Sequence, residues 1–526
     1  MGYNKTQHQP AVKKALADTL LGYYQEENTA NLAVPVHAAP SRHLYPEPGM
    51  HPPYLLTDLY ELTMQAGYLE HDMAGKPAVF DLYFRTNPFA GGYAVFAGLE
   101  PALAYLKDLR CSPAEIDYLQ GLGLFNDRFF DYLRSFRFRG TVVAPPEGTV
   151  VFANEPLLTA TGTLAEVQLV ETVLLNIINF QTLVATKAAR ICHAAGDGEV
   201  IEFGLRRAQG PDGGLSASRA ACIGGAKGTS NVLAGMRFDL PVRGTHAHSW
   251  VQSFPDELTA FRAYAGVFPD SSVLLVDTYD TLKSGLPNAI TVARELREQG
   301  HELRAIRLDS GDLAYLSRQA RQMLDAAGFA NVRILASNEL DEQVIASIRE
   351  EGGRIDIYGV GTKLATAAGV GGVALGGVYK LVAIDGRPKM KVTSDPAKAT
   401  LPGYKQLLRA VAPDGGYVQD VVCLQEDTLS AGATVFDPFN PMRQTRLPAD
   451  IRLVDLRQTV LQDGQRTMEP EPLAAMAERC RRDLALLPQG CRRFINPHHY
   501  KVSISSRLKE LRCQLIEKVT SEKEKQ

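Results

Sequence analysis

The sequence predicts an α/β protein whose middle third is a parallel-stranded barrel, with an α+β segment before it and antiparallel strands after it. Three observations carry that reading. Between residues 165 and 377, short β-rich runs alternate with polar or Gly-rich loops and helical stretches, the pattern of a parallel sheet. Seven such runs follow one another, which favours a closed barrel over an open sheet. The alternation then stops, and "VYKLVAIDGRPKMKV" and its sequel read as strands joined by turns.

The elements follow in order. Residues 1–50 form an irregular extension: "VPVHAAPSRHLYPEPGMHPP" is rich in Pro and His, which reads as extended leader rather than metal site. Residues 51–165 form the first globular part. "YLLTDLYELTMQAGYLE" places Leu55, Leu59, Leu62 and Ala66 on one helical stripe, and "AVFDLYFR" alternates as a strand does. Residues 166–377 form the barrel. A long apolar helical stretch, "AEVQLVETVLLNIINFQTLVATKAARICHAAG", precedes the runs "EVIEFGLRR", "FDLPVRGTHAH", "SVLLVDTYD", "ELRAIRLDSGD", "NVRILASNE", "IDIYGVGTK" and "GVALGGVYKLV". "LAYLSRQARQMLDAAGF" carries Leu313, Leu316, Ala320, Met323 and Leu324 on one face. "LDEQVIASIREEGG" opens with acids and closes with Gly-Gly, the polarity a helix prefers. Residues 378–500 pack back on the first part, making that domain discontinuous, and 501–526 are a charged helical tail.

Composition excludes several classes. The chain has 526 residues, 45% apolar and 22% charged, so it buries a large core without staples. A net charge of −3 argues against a nucleic-acid surface, while leaving room for a local basic pocket. Its seven cysteines are scattered and never form C-x-x-C, which disfavours a disulfide framework or zinc ribbon and points to a reducing cytoplasm. No apolar run approaches the roughly 20 residues that span a bilayer, and charges interrupt the first thirty residues where a signal peptide would need an apolar core.

In a βα-barrel, ligands sit at the carboxyl ends of the strands. Those ends here carry Arg206 and Arg207; His246 and His248; Asp277 and Asp280; Arg307, Asp309, Ser310 and Asp312; Ser337, Asn338 and Glu339; and Gly359, Gly361, Thr362 and Lys363. Singly, each has a bland explanation: an Asp after a strand caps the next helix, and a Gly pair makes a turn. Together they suit a polyphosphate, with guanidinium groups for phosphate oxygens, carboxylates for Mg²⁺ and a Gly loop for a terminal phosphate. The two histidines of "GTHAHSW" are zinc ligands, a phosphoryl acceptor or bystanders. Zinc lacks an obvious third nitrogen or sulfur ligand nearby, and a histidine in a phosphate-rich pocket can act as a nucleophile.

The segments "YLLTDLYELTM", "EFGLRRAQGPDGGLSASRAACIGG", "GTHAHSWVQSF", "VDTYDT", "IRLDSGDL", "ASNELDE", "YGVGTKL" and "SDPAKATLPGYKQ" resemble, in that order, the nicotinate phosphoribosyltransferases, over about residues 54–410. The resemblance implies a type II phosphoribosyltransferase fold, an irregular βα-barrel plus an α/β-sandwich domain built from both chain ends. It implies transfer of the phosphoribosyl group of 5-phosphoribosyl-1-pyrophosphate to nicotinate, coupled to ATP through a phosphohistidine, with Mg²⁺. It also implies a homodimer with shared active sites.

By motif, His248 is the phosphorylated residue, with His246 its neighbour. Phe203 resembles the ring stacked on the pyridine, and Tyr60 the ring supplied by the partner subunit. Arg307 resembles the group near base and ribose, and Arg206 a phosphate ligand. Asp277 and Asp309 resemble ribose or Mg²⁺ partners, with Asp309 the metal ligand. Ser337, Asn338, Gly359, Gly361 and Thr362 resemble the 5′-phosphate cradle. The rivals are a nicotinamide phosphoribosyltransferase, which the Arg-rich "GLRRAQG" disfavours, and a phosphate-binding barrel aldolase using Lys363 as its Schiff-base lysine.

Overall fold

The computed structural model describes residues 53–371, 373–393, 400–440 and 442–524; the Pro- and His-rich leader lies outside them. Five of the seven β-rich runs form one parallel sheet. Its spatial order is Val273–Leu275, Ala305–Leu308, Arg333–Ser337, Ile357–Val360 and Glu199–Glu202. Each strand is short and almost wholly buried, as expected of strands covered on both faces. The helices between them follow their patterns. Leu313–Ala326 buries Leu313, Ala314, Ser317, Ala320 and Leu324. Glu342–Glu350 starts on an Asp341 cap that accepts from Gln343 and Val344 N–H, and ends before Gly352 at φ 79°.

Two runs depart from expectation. "FDLPVRGTHAH" does not form a strand. Its first residues end the helix Val232–Phe238, Asp239 turns left-handed at φ 52°, and Pro241 has no N–H for a ladder. What remains of the pairing is a chain of single parallel bridges, Glu202 to Thr229 and Thr229 to Val242. The wall is therefore an incomplete barrel with a seam between the Val242 segment and Val273–Leu275. The seventh run also leaves the barrel: Gly377–Ile384 pairs antiparallel with Pro77–Phe84 in a different sheet.

That second sheet has seven antiparallel strands in the order Arg387–Pro388, Gly377–Ile384, Pro77–Phe84, Leu158–Thr163, Thr141–Ala144, Gln458–Gln462 and Gln465–Arg466. It interleaves the two ends of the chain. A third sheet of six strands, from Lys405–Val411 to Val502–Ile504, is made from the C-terminal part alone, so the chain's return divides between two sheets. A buried ion pair ties the two sheets together, Lys405 Nζ lying 2.8 Å from Asp81; Arg409, paired with Asp420 at 2.6 Å within the third sheet, also donates to the Val150 carbonyl at 2.8 Å. Helix Ser506–Glu524 packs on the third sheet through Leu508.

The 25-residue helix Glu171–Ala195 is the spine between sheet and barrel. Its buried Lys187 and Arg190 both hold Glu342, at 2.5 and 2.9 Å, the first residue of the Glu342–Glu350 helix. Removing one member would strand the others' charge in a low-dielectric interior.

Candidate active site

The carboxyl ends of the parallel strands surround a cavity of about 410 Å³. Phe203, Arg206, Ser230, Thr245, His248, Arg307 and Asp309 are among its walls. Phe203 continues the ladder one residue beyond Glu199–Glu202, donating its N–H to the Val360 carbonyl at 2.8 Å. Its ring lies on Gly359, where an added Cβ would stand 2.6 Å from ring carbons. Only a residue without a side chain admits the ring there. The Arg307 guanidinium carbon sits 5.8 Å from the centre of the same ring, at the edge of cation–π range.

Arg307 is fixed on three sides. Its Nε donates to Ser337 Oγ at 2.9 Å, Nη1 to Thr245 Oγ1 at 3.1 Å and Nη2 to Asp309 Oδ1 at 2.9 Å. Ser337 in turn donates its hydroxyl to Asp309 Oδ1. Asp277 sits behind: its Oδ2 accepts the Asp309 N–H at 2.8 Å and the Ser310 hydroxyl at 2.6 Å. Its Oδ1 is buried with no hydrogen-bond partner among the described residues. Three strand ends and the Thr245 segment thus contribute to one charge-compensated network.

His248 begins the short helix His248–Gln252. Its Nδ1 lies 3.1 Å from Thr278 Oγ1, and its Nε2 is 3.7 Å from Asp309 Oδ2. With Nδ1 protonated toward Thr278, Nε2 keeps its lone pair on the cavity side.

His246 does different work. It is buried, and its Nε2 accepts the Leu275 N–H at 3.2 Å across the barrel seam. Its ring stands edge-on to Tyr264 with centroids 4.7 Å apart. Burial pushes its pKa down to about 4, with Arg307 and His248 adding to the depression and the Ala247 carbonyl opposing it. A neutral imidazole with an accepting Nε2 replaces the backbone bond that a regular strand would have made. Both histidines line the cavity, but His246 commits its Nε2 to the Leu275 N–H across the seam.

Several strand-end residues take their bland role. Asp280 accepts the Leu282 and Lys283 N–H groups, and Asp312 accepts that of Tyr315; both are helix caps. Gly361 lies beside Phe203, an added Cβ standing 3.2 Å from the Phe203 carbonyl oxygen. Thr362 starts the four-residue helix that follows. Asn338 is left-handed at φ 93° directly after Ser337. Asp277, Ser337, Asn338, Gly359, Gly361 and Thr362 are not among the cavity walls; of these, Asp277, Ser337 and Gly359 touch wall residues from behind. Tyr60 is not brought to the cavity either: it is exposed on the helix Leu59–Glu70 with Leu56 and Leu59, also exposed, beside it. The apolar stripe expected of that helix is only partly buried. Its inward face is Glu61, Leu62 and Gln65.

Sequence reasoning missed Thr245, Thr278 and Ser230. Thr245 and Thr278 are each within two residues of a residue that was picked out, and their hydroxyls orient Arg307 and His248. A metal ion would find Asp309 Oδ2 and the unpartnered Asp277 Oδ1 at this end of the barrel. Among the described residues no group of three or more His, Cys, Asp or Glu is placed to hold one. That donor set suits Mg²⁺, which keeps most of its waters and takes substrate phosphates as ligands.

Three family models match in succession: the nicotinate phosphoribosyltransferase N-terminal domain at residues 55–179, the nicotinate phosphoribosyltransferase family at 199–437 and its C-terminal domain at 404–512. The chain belongs to the nicotinate phosphoribosyltransferase family. It is 42% identical over 474 residues to a nicotinate phosphoribosyltransferase of Bacillus subtilis, covering 89% of this chain and 96% of that one. It is 37% identical to the human protein of that name, covering 87% and 95%. The crystal structure of human nicotinic acid phosphoribosyltransferase superposes with a TM-score of 0.78 at 36% identity, over 87% of this chain and 99% of that one. A nicotinate-nucleotide pyrophosphorylase from Pyrococcus furiosus has a TM-score of 0.64 at 24% identity, a likeness of fold. No helix among the described residues is long and apolar enough to cross a membrane.

Proposed function

We propose that the chain transfers the 5-phosphoribosyl group of 5-phosphoribosyl-1-pyrophosphate to nicotinate, giving nicotinate mononucleotide and pyrophosphate in NAD salvage. The observation that carries it is the joint placement of Phe203, Arg307, Asp309 and His248 on one cavity at the strand ends. A pyridine ring fits on Phe203, and the Arg307 charge faces the carboxylate of nicotinate better than the amide of nicotinamide. The pyridine nitrogen is already a nucleophile, so no general base is needed and positioning dominates. As the C1–oxygen bond to pyrophosphate breaks, the sugar gains positive charge and the leaving group negative charge. Arg206, exposed on the cavity wall, is free to meet the phosphates. Asp309, with Asp277 behind it, would hold Mg²⁺, whose chemistry is to neutralise the pyrophosphate.

The same reading includes ATP coupling. The His248 Nε2 lone pair attacks the γ-phosphorus, the bond to ADP breaks, and water later takes the phosphoryl group as phosphate. The phosphohistidine places added negative charge beside Asp309, where a cation and the substrate pyrophosphate are then held together. Tyr60 completes the base site from a partner subunit in a homodimer, which would also cover the exposed Leu56 and Leu59. An aldolase reading loses ground because no lysine among the described residues lines the cavity, Lys363 included.

Turnover is to be measured with the phosphoribosyl donor and Mg²⁺, offering nicotinate or nicotinamide, each with and without ATP. Product from nicotinate, increased by ATP, supports the reading. Product from nicotinamide alone would overturn the base assignment, and no product from either would overturn the activity.

A further inference from the structure

A second cavity, of about 750 Å³, opens at the other end of the barrel. Gly198 and Val200, at the start of the strand that ends beside Phe203, form part of its wall. Helix Leu473–Leu486, the Phe238–Pro241 turn and the end of the spine helix close it. Its size is within the range of sites that enclose small organic ligands. Phe238, Leu240, Pro241, Leu473 and Leu484 give it an apolar side.

Its charge is unbalanced in an informative way. Arg492 has a buried Nε without a hydrogen-bond partner among the described residues, a costly state for a guanidinium nitrogen. Lys227 makes no ion pair among the described residues, though its charge adds to that of Arg481 in lowering the Glu478 pKa and opposes the burial that raises that of Cys192. Its backbone N–H is bonded to the Val200 carbonyl at 2.8 Å. The carboxylates on the walls are Glu478, already held by Arg481 at 2.5 Å, and the exposed Asp239. His193, also on the wall, has its pKa lowered by burial and by Arg492, Arg190 and Arg349. Cys192, Cys222 and Cys480 are thiols whose pKa burial raises, so they serve as soft lining rather than nucleophiles.

We infer that this cavity is a regulatory site for a nucleoside monophosphate, its phosphate between Arg492 and Lys227 and its base against the Phe238–Leu473 wall. Inorganic phosphate would leave the apolar side empty, and a neutral nucleoside would leave Arg492 unpaired. Coupling to the active site runs along one short strand: Val200 receives the Lys227 N–H, and three residues later Phe203 forms the base platform. An occupant that shifts Lys227 therefore bears on nicotinate binding.

The test is calorimetric titration of the full chain with AMP, adenosine and inorganic phosphate. It uses wild type, Arg492→Ala, Lys227→Ala and Asp309→Asn, with folding checked by thermal melting. A fifth variant, Ala477→Phe, fills the cavity from a half-buried helix position and leaves both cations in place. AMP should bind wild type and Asp309→Asn alike, tenfold or more weakly to Arg492→Ala and Lys227→Ala, and not to Ala477→Phe. Adenosine and phosphate should each bind at least tenfold more weakly than AMP. Three results would overturn the inference: no AMP binding, AMP binding lost in Asp309→Asn but kept in Arg492→Ala, or binding indifferent to Ala477→Phe. None of these readouts requires turnover of nicotinate, so the outcome is separable from that of the proposed activity.

Discussion

Replacing His246 tests whether one side chain stands in for a missing strand. In His246→Leu the Leu275 N–H loses its acceptor, and an unsatisfied buried amide costs about 1–3 kcal/mol. Loss of the edge-on contact with Tyr264 adds about 0.5–1.5 kcal/mol. A destabilisation of roughly 2–4 kcal/mol is expected at neutral pH. The pKa of about 4 supplies an independent signature. The folded state depresses this pKa below the ordinary 6.5, so it favours the neutral ring. The resulting stability is fully present above pH 6.5 and is lost as pH falls through 4. The linkage relation gives a loss of about 2 kcal/mol already at pH 5. Glu61 works in the opposite sense, because burial raises its carboxyl to about 7. Its contribution is common to both proteins and cancels in their difference. The assay is urea unfolding of wild type and His246→Leu at pH 7.5 and pH 5. The gap between them should shrink by about 2 kcal/mol at the lower pH. A constant gap would refute the neutral, hydrogen-bonded imidazole. His246→Gln, which offers a non-titrating acceptor, should recover part of the stability and show no acid dependence at this position.

The remaining predictions concern the cavity. His248→Ala should keep a basal rate and lose stimulation by ATP, read as the ratio of initial rates with and without ATP; full stimulation in the variant would end the phosphohistidine proposal. Asp309→Asn should lower kcat by roughly a hundredfold, since it weakens the partner of Arg307 and Ser337 together, and steady-state kinetics check it. Gly359→Ala should displace the Phe203 ring that a Cβ would meet at 2.6 Å. Loss of about 0.5–1.5 kcal/mol of stacking corresponds to a rise in KM for nicotinate of roughly two- to tenfold, with the fold intact by circular dichroism. Tyr60→Ala should raise KM for nicotinate without lowering the melting temperature, because the ring is exposed on its own chain; an unchanged KM would remove the partner-subunit role.

The barrel was legible where the local signal and the tertiary demand agree. Buried parallel strands need β-branched runs, and "SVLLV", "NVRILA" and "IDIYGV" provide them and nothing else that competes. The reading failed where one residue outvotes its neighbours. "FDLPVRGT" has an apolar content compatible with a strand, yet Pro241 removes a donor and Asp239 adopts φ 52°. "GVYKLVAI" is a sound strand, but neither its period nor its composition names the sheet it joins. That choice is made by Gly371 and Gly376, both at positive φ, which turn the chain out of the barrel and toward Pro77–Phe84.

The site divides along the same line. Charged groups at strand ends are visible in a sequence because nothing about a strand requires them. Arg307, Asp309 and His248 were found in that way, and the caps Asp280 and Asp312 were caught by the same net. Hydroxyls are not visible so. Thr245 and Thr278 are ordinary residues whose importance comes from standing about 3 Å from a guanidinium or imidazole nitrogen; Ser337 was picked out only as part of a phosphate cradle, and it too stands 2.9 Å from the Arg307 guanidinium. His246 shows why pattern cannot settle such cases. Two histidines at i and i+2 of a regular strand would line the same face; here they part because the extended segment ends at Ala247 and His248 opens the helix His248–Gln252, so one serves the wall while the other stands at the cavity. The pair follows from the geometry of a broken strand at a barrel seam: the inner imidazole completes a backbone hydrogen-bond pattern that Pro241 interrupted, and this leaves the outer one on a fixed support facing the cavity.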